Sequence, residues 1–206
     1  ISRSLPRLEP ETGLKAAVVG SGPAGLMAAY ELRRQGHTVT VFEAAPEPGG
    51  LLRYGIPSFR LPAGEVAQAV DMLSRMGVSF RTGTALGRDM DLTELERQFG
   101  AVVLAVGTGA ARRPGIPGEE DGVMQGLDLL RQVREGGRPA LGGSVVVIGG
   151  GNTAVDAALT SRLLGAGEVR LVCLEDRPEM PAYADEVEAA IERGGAFDHR
   201  WGPSGC

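Results

Sequence analysis

Short apolar runs rich in Val alternate along the chain with longer stretches whose apolar positions recur every three or four residues. The runs at 15–20, 38–43, 78–82, 101–106, 144–149 and 168–174 predict strands, and helices fill most of the gaps. The segment 63–76 shows the helical period clearly: Val66, Ala69, Val70, Leu73 and Met76 fall on one face and predict a single buried stripe. The strands at 101–106 and 145–148 are apolar at every position, which predicts a parallel sheet covered by helices on each side. The class is α/β.

Two stretches break the alternation. Residues 44–62, "AAPEPGGLLRYGIPSFRLP", hold four prolines and three glycines, and such a long loop is usually kept for a site. Residues 107–143 mix Gly, Pro and Arg around one predicted helix near 125–135, a pattern expected of a connector. The organisation expected is therefore an extension over 1–13, a first domain over 14–109, a connector over 110–143 and a second domain over 144–206.

The glycines concentrate where strands end. Gly20, Gly22 and Gly25 form G-x-G-x-x-G directly after the strand "KAAVVG" and at the start of a helix. Gly20 permits the tight turn, Gly22 lets a pyrophosphate approach the backbone, and Gly25 lets helix and strand pack closely. Free N–H groups and the positive helix end attract the phosphates. Glu43 closes the next strand, 18 residues after Gly25, where a carboxylate accepts hydrogen bonds from ribose hydroxyls.

A looser copy comes after the strand "SVVVIG". Gly149, Gly151 and Ala154 form G-x-G-x-x-A, and Glu175 is expected at the end of the following strand. Asp156, placed in the first turn of the second helix, is read as favouring the helix dipole. Two dinucleotide sites in one chain predict two cofactors that exchange electrons, a flavin in one and a nicotinamide in the other.

Composition narrows the classes. A net charge of −5 with 21 Lys plus Arg gives no concentrated basic surface, which argues against nucleic acid. No apolar run approaches the roughly 20 residues of a membrane span, and the start "ISRSLPRLEP" has no signal-peptide core, so the cytoplasm is expected. Cys173 and Cys206 are the two cysteines, too few for a disulfide framework or a thiolate metal site, so no metal is expected. No side chain stands out for proton transfer: His37 falls in a turn and His199 in the last strand, and the catalytic set is left unassigned.

The runs "GGLLRYGIPSFRLP", "MGVSFRTGTALGRDMDLTEL", "VVLAVGTGAARRPGIPG", "GGGNTAVDAA" and "EMPA" together resemble the glutamate synthase small-subunit family and its relatives, including the amino-terminal flavin region of dihydropyrimidine dehydrogenase. The resemblance covers about residues 14–203 in order. It implies two Rossmann-like domains, an FAD domain with an NAD(P) domain inserted into it. The activity it implies is oxidation of NAD(P)H by FAD, with electrons passed to iron–sulfur clusters of a partner subunit or domain. On the matched positions, FAD contacts fall on Pro23, Ala24, Glu43, Gly49, Gly50, Leu51, Arg60 and Leu86, beside Gly20, Gly22 and Gly25. Nicotinamide-dinucleotide contacts fall on Gly150, Gly151, Asn152 and Thr153, beside Gly149 and Glu175 of the second glycine pattern. Arg60 also has an independent argument, since a guanidinium offers paired donors to a pyrophosphate.

The chain departs from the family pattern in three ways. NADPH-linked members carry basic residues where this chain has Leu174 and Glu175; an acid there suits a free ribose 2′-hydroxyl, so NADH is expected over NADPH, with Arg177 as the nearest cation. No cysteine pair stands beside Leu51, Leu52 and Arg53 or within "GGRPALGGS", so electrons are expected to leave for another centre. The chain also stops at "FDHRWGPSGC", the expected third strand of the second unit, so both domains are expected to be incomplete, with Phe197 and Trp201 at the junction. Two other readings of the same residues are a nonenzymatic nucleotide-binding or assembly subunit with a structural FAD site and a self-contained flavin reductase.

Overall fold

The structure is a computed structural model that describes residues 5–109, 113, 115, 117–119, 122–193 and 196–198. His199, Trp201 and Cys206 lie outside the described residues. The chain divides into two compact units, one holding residues 1–54 and 58–109 and the other 55–57 and 110–206.

In the first unit β1 (Lys15–Val19), β2 (Thr38–Phe42), β3 (Ser79–Arg81) and β4 (Ala101–Leu104) form a parallel sheet in the order β3-β2-β1-β4. Helix α1 (Pro23–Arg34) connects β1 to β2, α2 (Gly50–Tyr54) and α3 (Ala63–Arg75) connect β2 to β3, and α4 (Leu92–Gln98) leads to β4. The strand order reverses between β1 and β4, and the crevice beyond the carboxyl ends of such strands is where open α/β sheets hold ligands. The first glycine loop lies there, since a side chain at Gly20 would strike the carbonyl of Ala105 just past β4.

Apolar burial follows from the pleat and the helical period. Val18, Val39 and Val41 are fully buried and pack with Leu26, Leu73, Met76 and Val78 on one face of the sheet. Ala17, Val19, Phe42 and Leu95 form the core of the other face, with the Phe42 and Phe99 rings edge-to-face at 5.8 Å. The stripe expected on α3 is narrower than its sequence period: Val66 and Leu73 are buried, Val70 is half-buried and Ala69 is exposed. A short methyl adds little contact at the margin of a helix face, so the longer side chains define the seam.

The segment before β1 is fastened to the first unit. Glu9 N–H donates to the Arg34 carbonyl at 2.9 Å, Thr12 N–H donates to the Gly36 carbonyl at 3.0 Å, and Arg33 pairs with Glu11 at 2.7 Å. Gly36, at φ +85°, leaves the room this strap needs, because a Cβ there would overlap the Pro10 carbonyl. His37 Nδ1 lies 2.7 Å from Thr12 Oγ1, a structural contact in this turn.

In the second unit β5 (Ser144–Ile148), β6 (Glu168–Val172) and β7 (Ala196–Asp198) form a parallel sheet in the order β5-β6-β7. Helices α5 (Gly126–Arg134), α6 (Asn152–Leu163) and α7 (Ala184–Glu192) accompany it, with α6 packed against α5, α7, β5 and β6. Every residue of α6 from Ala154 to Ser161 is buried, so this helix has no amphipathic stripe. Phe197 of β7 is half-buried against the same core.

Three expectations change at the element ends. The strands end at Phe42 and Val172, so Glu43 lies one residue and Glu175 three residues beyond. The loop 44–62 contains a helical turn, α2. Asp156 lies past the first turn of α6 and is 5% exposed, which makes it a buried carboxylate rather than a dipole-facing one. The two-sided cover expected for 101–106 is present on β4, where Val103 packs with one core and Val102 with the other, although Leu104 at its end is 54% exposed. For 145–148 it is absent among the described residues, since Val145 and Val147 pack toward α6 while Val146 and Ile148 are 61% and 40% exposed. Alternation of side chains across the pleat separates the two sets on β5, because α6 packs against the face that carries Val145 and Val147.

Leu73 is 2% exposed where α3 meets the β1–β2 face. Leu73→Ala is expected to cost about 2–5 kcal/mol of unfolding free energy by the lost burial and the cavity left behind, read by denaturant titration.

Candidate functional site

The first site is built around the turn from β1 into α1. Gly20, at φ +101°, donates its N–H to the Phe42 carbonyl at 2.8 Å and so ties the loop to the end of β2. A Cβ on Gly25 would overlap the Gly20 carbonyl oxygen, whereas one on Gly22 would meet nothing within 4 Å. One glycine is therefore needed for packing, and the other leaves backbone open to an approaching group. Gly22 caps α1 without a side-chain hydrogen bond, and Pro23 at the first helical position has no N–H to satisfy. Pro23 and Ala24 are exposed beside this end.

Glu43 is 8% exposed and its carboxylate is already engaged. Oε2 accepts from the Ser21 N–H at 3.0 Å and from the Ser21 hydroxyl, and Oε1 accepts from the Ala45 N–H at 2.7 Å. Ser21, 0% exposed, also accepts from the Gly49 N–H at 2.9 Å. Sequence reasoning passed over Ser21, although a hydroxyl between the first two fingerprint glycines is a visible signal. Gly50, at φ +52°, sits against the same turn, and a Cβ there would lie 2.7 Å from the Gly22 Cα. Arg53 fastens the remainder of this loop, pairing with Glu47 at 2.5 Å and donating to the Pro48 carbonyl at 2.7 Å.

Gly20, Gly22, Gly25, Glu43, Gly49 and Gly50 are thus brought together, with Pro23, Ala24 and the 43%-exposed Leu51 at their edge. Leu86 is half-buried in the core beneath Val19 and Phe42, the residues that precede Gly20 and Glu43. Its loop is closed by Asp89, whose carboxyl accepts from the Ala85 N–H and is held below its usual pKa first by the Arg88 guanidinium. Arg60 is half-buried, three residues before α3.

The second turn repeats the first with looser packing. Gly149, at φ +133°, donates its N–H to the Val172 carbonyl at 2.9 Å, the counterpart of the Gly20 bond to Phe42. Ala154 stands where the first copy has Gly25, and its methyl would lie 3.5 Å from a Cβ on Gly149, an ordinary contact. The alanine in G-x-G-x-x-A is accommodated by this wider spacing. Gly151 caps α6 without a side chain, and Thr153 is exposed.

Because the loop bonds match Phe42 with Val172, the position equivalent to Glu43 is Cys173 and not Glu175. Cys173 is 2% exposed, and burial first, then the Glu175 charge, pushes its thiol up from the ordinary value. Such a thiol is a poor nucleophile. Glu175 reaches the loop by another route: its Oε2 lies 2.7 Å from where a Gly150 Cβ would be. The "EMPA" run has its reason here, since Met180 and Ala182 enter the core and the Ala182 N–H donates to the Gly150 carbonyl at 3.1 Å. Asn152 Oδ1 accepts from the Tyr183 N–H at 2.9 Å, which commits its side-chain oxygen to the same segment. Next to Glu175, an open hollow of about 320 Å³ is lined by Asp176, Arg177, Pro178 and Glu179, and Arg177 lies 3.8 Å from Glu188 of α7. Among the described residues no cluster of His, Cys, Asp and Glu suits a metal ion, and no helix is long and apolar enough to cross a membrane.

The family model for pyridine nucleotide-disulphide oxidoreductases matches residues 14–194. The chain belongs to this family. It is 42% identical over 187 residues to the beta subunit of an NADP(+)-dependent formate dehydrogenase of Moorella thermoacetica, covering 89% of this chain and 26% of that one. It is equally similar, 42% over 208 residues, to the glutamate synthase [NADPH] small chain of Mycobacterium tuberculosis, covering 89% of this chain and 43% of the relative. The chain therefore spans less than half the length of these curated relatives. Among solved structures, FprA of Mycobacterium tuberculosis superposes with a TM-score of 0.75 at 25% identity, covering 90% of this chain and 48% of that one. The thioredoxin reductase of Lactococcus lactis shares the fold, with a TM-score of 0.64 at 20% identity over 93% of this chain and 68% of that one.

The close contact at Gly25 gives a direct test. Gly25→Ala is expected to lose about 3 kcal/mol of stability, because the new methyl meets backbone that cannot rotate away. Ala154→Gly is expected to lose only about 1 kcal/mol, mostly helix propensity. Denaturant titration of both variants reads the difference.

Proposed function

We propose that this chain is the nucleotide-binding part of an FAD-dependent NAD(P)H oxidoreductase, in which hydride equivalents enter from a dihydronicotinamide and electrons leave singly to iron–sulfur clusters of a partner subunit or domain. The observation that carries this reading is the pair of glycine loops, each following the first strand of its own parallel sheet and each opening an uncapped helix. We assign 14–109 to the FAD portion, 144–206 to the nicotinamide portion and 110–143 to their connection. The relatives support the reading, being named as subunits of formate dehydrogenase, of an NADPH-Fe(3+) oxidoreductase and of glutamate synthase.

The residues present fit both groups. The Gly22 backbone is open above α1 and Glu43 stands ready as an acceptor, which suits the pyrophosphate and ribose of FAD, with Arg60 as the cation for the pyrophosphate. When bound, FAD supplies two-electron acceptance and one-electron release. The chain's own contribution is to bind and orient: Gly20 to Gly25 cradle phosphates, the Gly49–Gly50 turn closes over them, and Gly149 to Thr153 do the same for the nicotinamide nucleotide. Cys173 is assigned no redox part, since burial, which encloses the side chain and raises its pKa, makes the thiol a poor nucleophile.

NADH is proposed as the preferred donor, although the named relatives use NADPH. Leu174 is 71% exposed and offers no charge, Glu175 lies against Gly150, and Arg177 is directed to Glu188. A 2′-phosphate in the hollow beyond β6 would meet Asp176 and Glu179, whose like charges repel it, beside an Arg177 directed to Glu188. The cytoplasm is the compartment proposed.

Anaerobic titration of the full-length protein with NADH is expected to bleach the flavin absorbance. Bound flavin that NADH leaves oxidised would replace this reading by a structural role for the cofactor. Glu175→Arg is expected to shift the ratio of kcat/KM for the two nucleotides at least about tenfold toward NADPH, the worth of one charge-assisted contact. An unmoved ratio removes Glu175 from the specificity site.

A further inference from the structure

We propose that Ser21 is a positioning residue whose hydroxyl aims the Glu43 carboxylate at the adenosine ribose of FAD while holding the Gly49–Gly50 turn against the phosphate loop. The inference rests on the assignment of FAD to the first unit and goes beyond it, because neither the fingerprint nor the resemblance gives this hydroxyl a task.

The direction of each hydrogen bond is fixed by chemistry. The Gly49 backbone N–H can only donate, so at 2.9 Å the Ser21 Oγ is its acceptor. The single hydroxyl proton of Ser21 then goes to Glu43 Oε2, which also accepts from the Ser21 N–H at 3.0 Å. Both partners are buried, with Ser21 at 0% and Glu43 at 8% exposure, so solvent does not substitute for the hydroxyl. An ionised carboxylate has about four acceptor positions. Ser21 takes two on Oε2 and the Ala45 N–H takes one on Oε1, so acceptor capacity for a ribose hydroxyl is left on Oε1. With Oε2 pinned at two points, the carboxylate plane is set before any ligand arrives. The same Oγ holds Gly49 in place, and with it Gly50, which sits against Gly22. One hydroxyl thereby joins the phosphate loop, the ribose acceptor and the covering turn into a preformed cradle, and preorganisation of this kind lowers the cost of binding.

The test is FAD binding by the full-length apoprotein, measured beside an analogue whose adenosine ribose lacks the 2′-hydroxyl and one that lacks the 3′-hydroxyl. Wild type is expected to favour FAD about tenfold over at least one analogue, the discrimination typical of a hydrogen bond to a charged group. Ser21→Ala is expected to bind FAD about tenfold more weakly and to bring that discrimination close to one. Ser21→Thr keeps the hydroxyl while adding a methyl in a packed place, so it is expected to retain the discrimination even where overall affinity falls. This split separates positioning from general loss of structure. Wild-type discrimination retained in the alanine variant overturns the inference, as does a wild type that binds FAD and both analogues equally. A wild-type protein that binds no FAD instead overturns the assignment of the first unit on which the inference rests.

Discussion

At Gly25 the first helix comes so close to the Gly20 carbonyl that no side chain fits between them. The rest of the first site depends on this contact. It lets α1 start immediately above the end of β1, which leaves the Gly22 backbone open and the helix end uncapped by any side chain. The cost is conformational freedom surrendered at several glycines, offset by a sheet whose central valines exclude water completely. A polar loop can be held rigid here because an apolar platform lies directly beneath it.

The second loop is the same device built with less compression. Alanine replaces the packing glycine, and the nearest methyl contact is of ordinary length. Support comes from other parts of the chain: the "EMPA" segment bonds to the Gly150 carbonyl and supplies the Asn152 partner, and the almost entirely buried α6 anchors the helix. The two loops share the bond from their first glycine to the end of the next strand, yet differ in the residue that succeeds that strand. In one it is a buried carboxylate; in the other it is a buried thiol, with the carboxylate displaced two residues further on. This offset gives the proposed nucleotide sites different polar surroundings on a shared backbone plan.

Charge in the two units is also placed differently. In the first, Glu43 is enclosed and saturated on one oxygen by backbone and hydroxyl donors, as a fixed acceptor should be. In the second, Glu175, Asp176 and Arg177 are only partly buried beside an open hollow, and Arg177 has a long pairing with Glu188. Exposed pairs of this length contribute little to stability. They act instead through the local field around the hollow.

The sequence by itself determined the α/β alternation, the six main strands to within two residues at their ends, and both glycine loops, because Val-rich runs and G-x-G-x-x-G spacing express local geometry. It also marked Glu43 by its place after the strand, and the Gly49–Gly50 pair through the family resemblance. Only the tertiary structure decided that Ser21 joins these three, that Cys173 occupies the place first given to Glu175, and that the residues before β1 strap onto α1. It also turned Asp156 inward and left Val146 and Ile148 uncovered among the described residues. The physical reason is common to these cases: periodicity reports which side of an element is apolar, whereas hydrogen-bond partners and burial depend on which distant segment is brought against it.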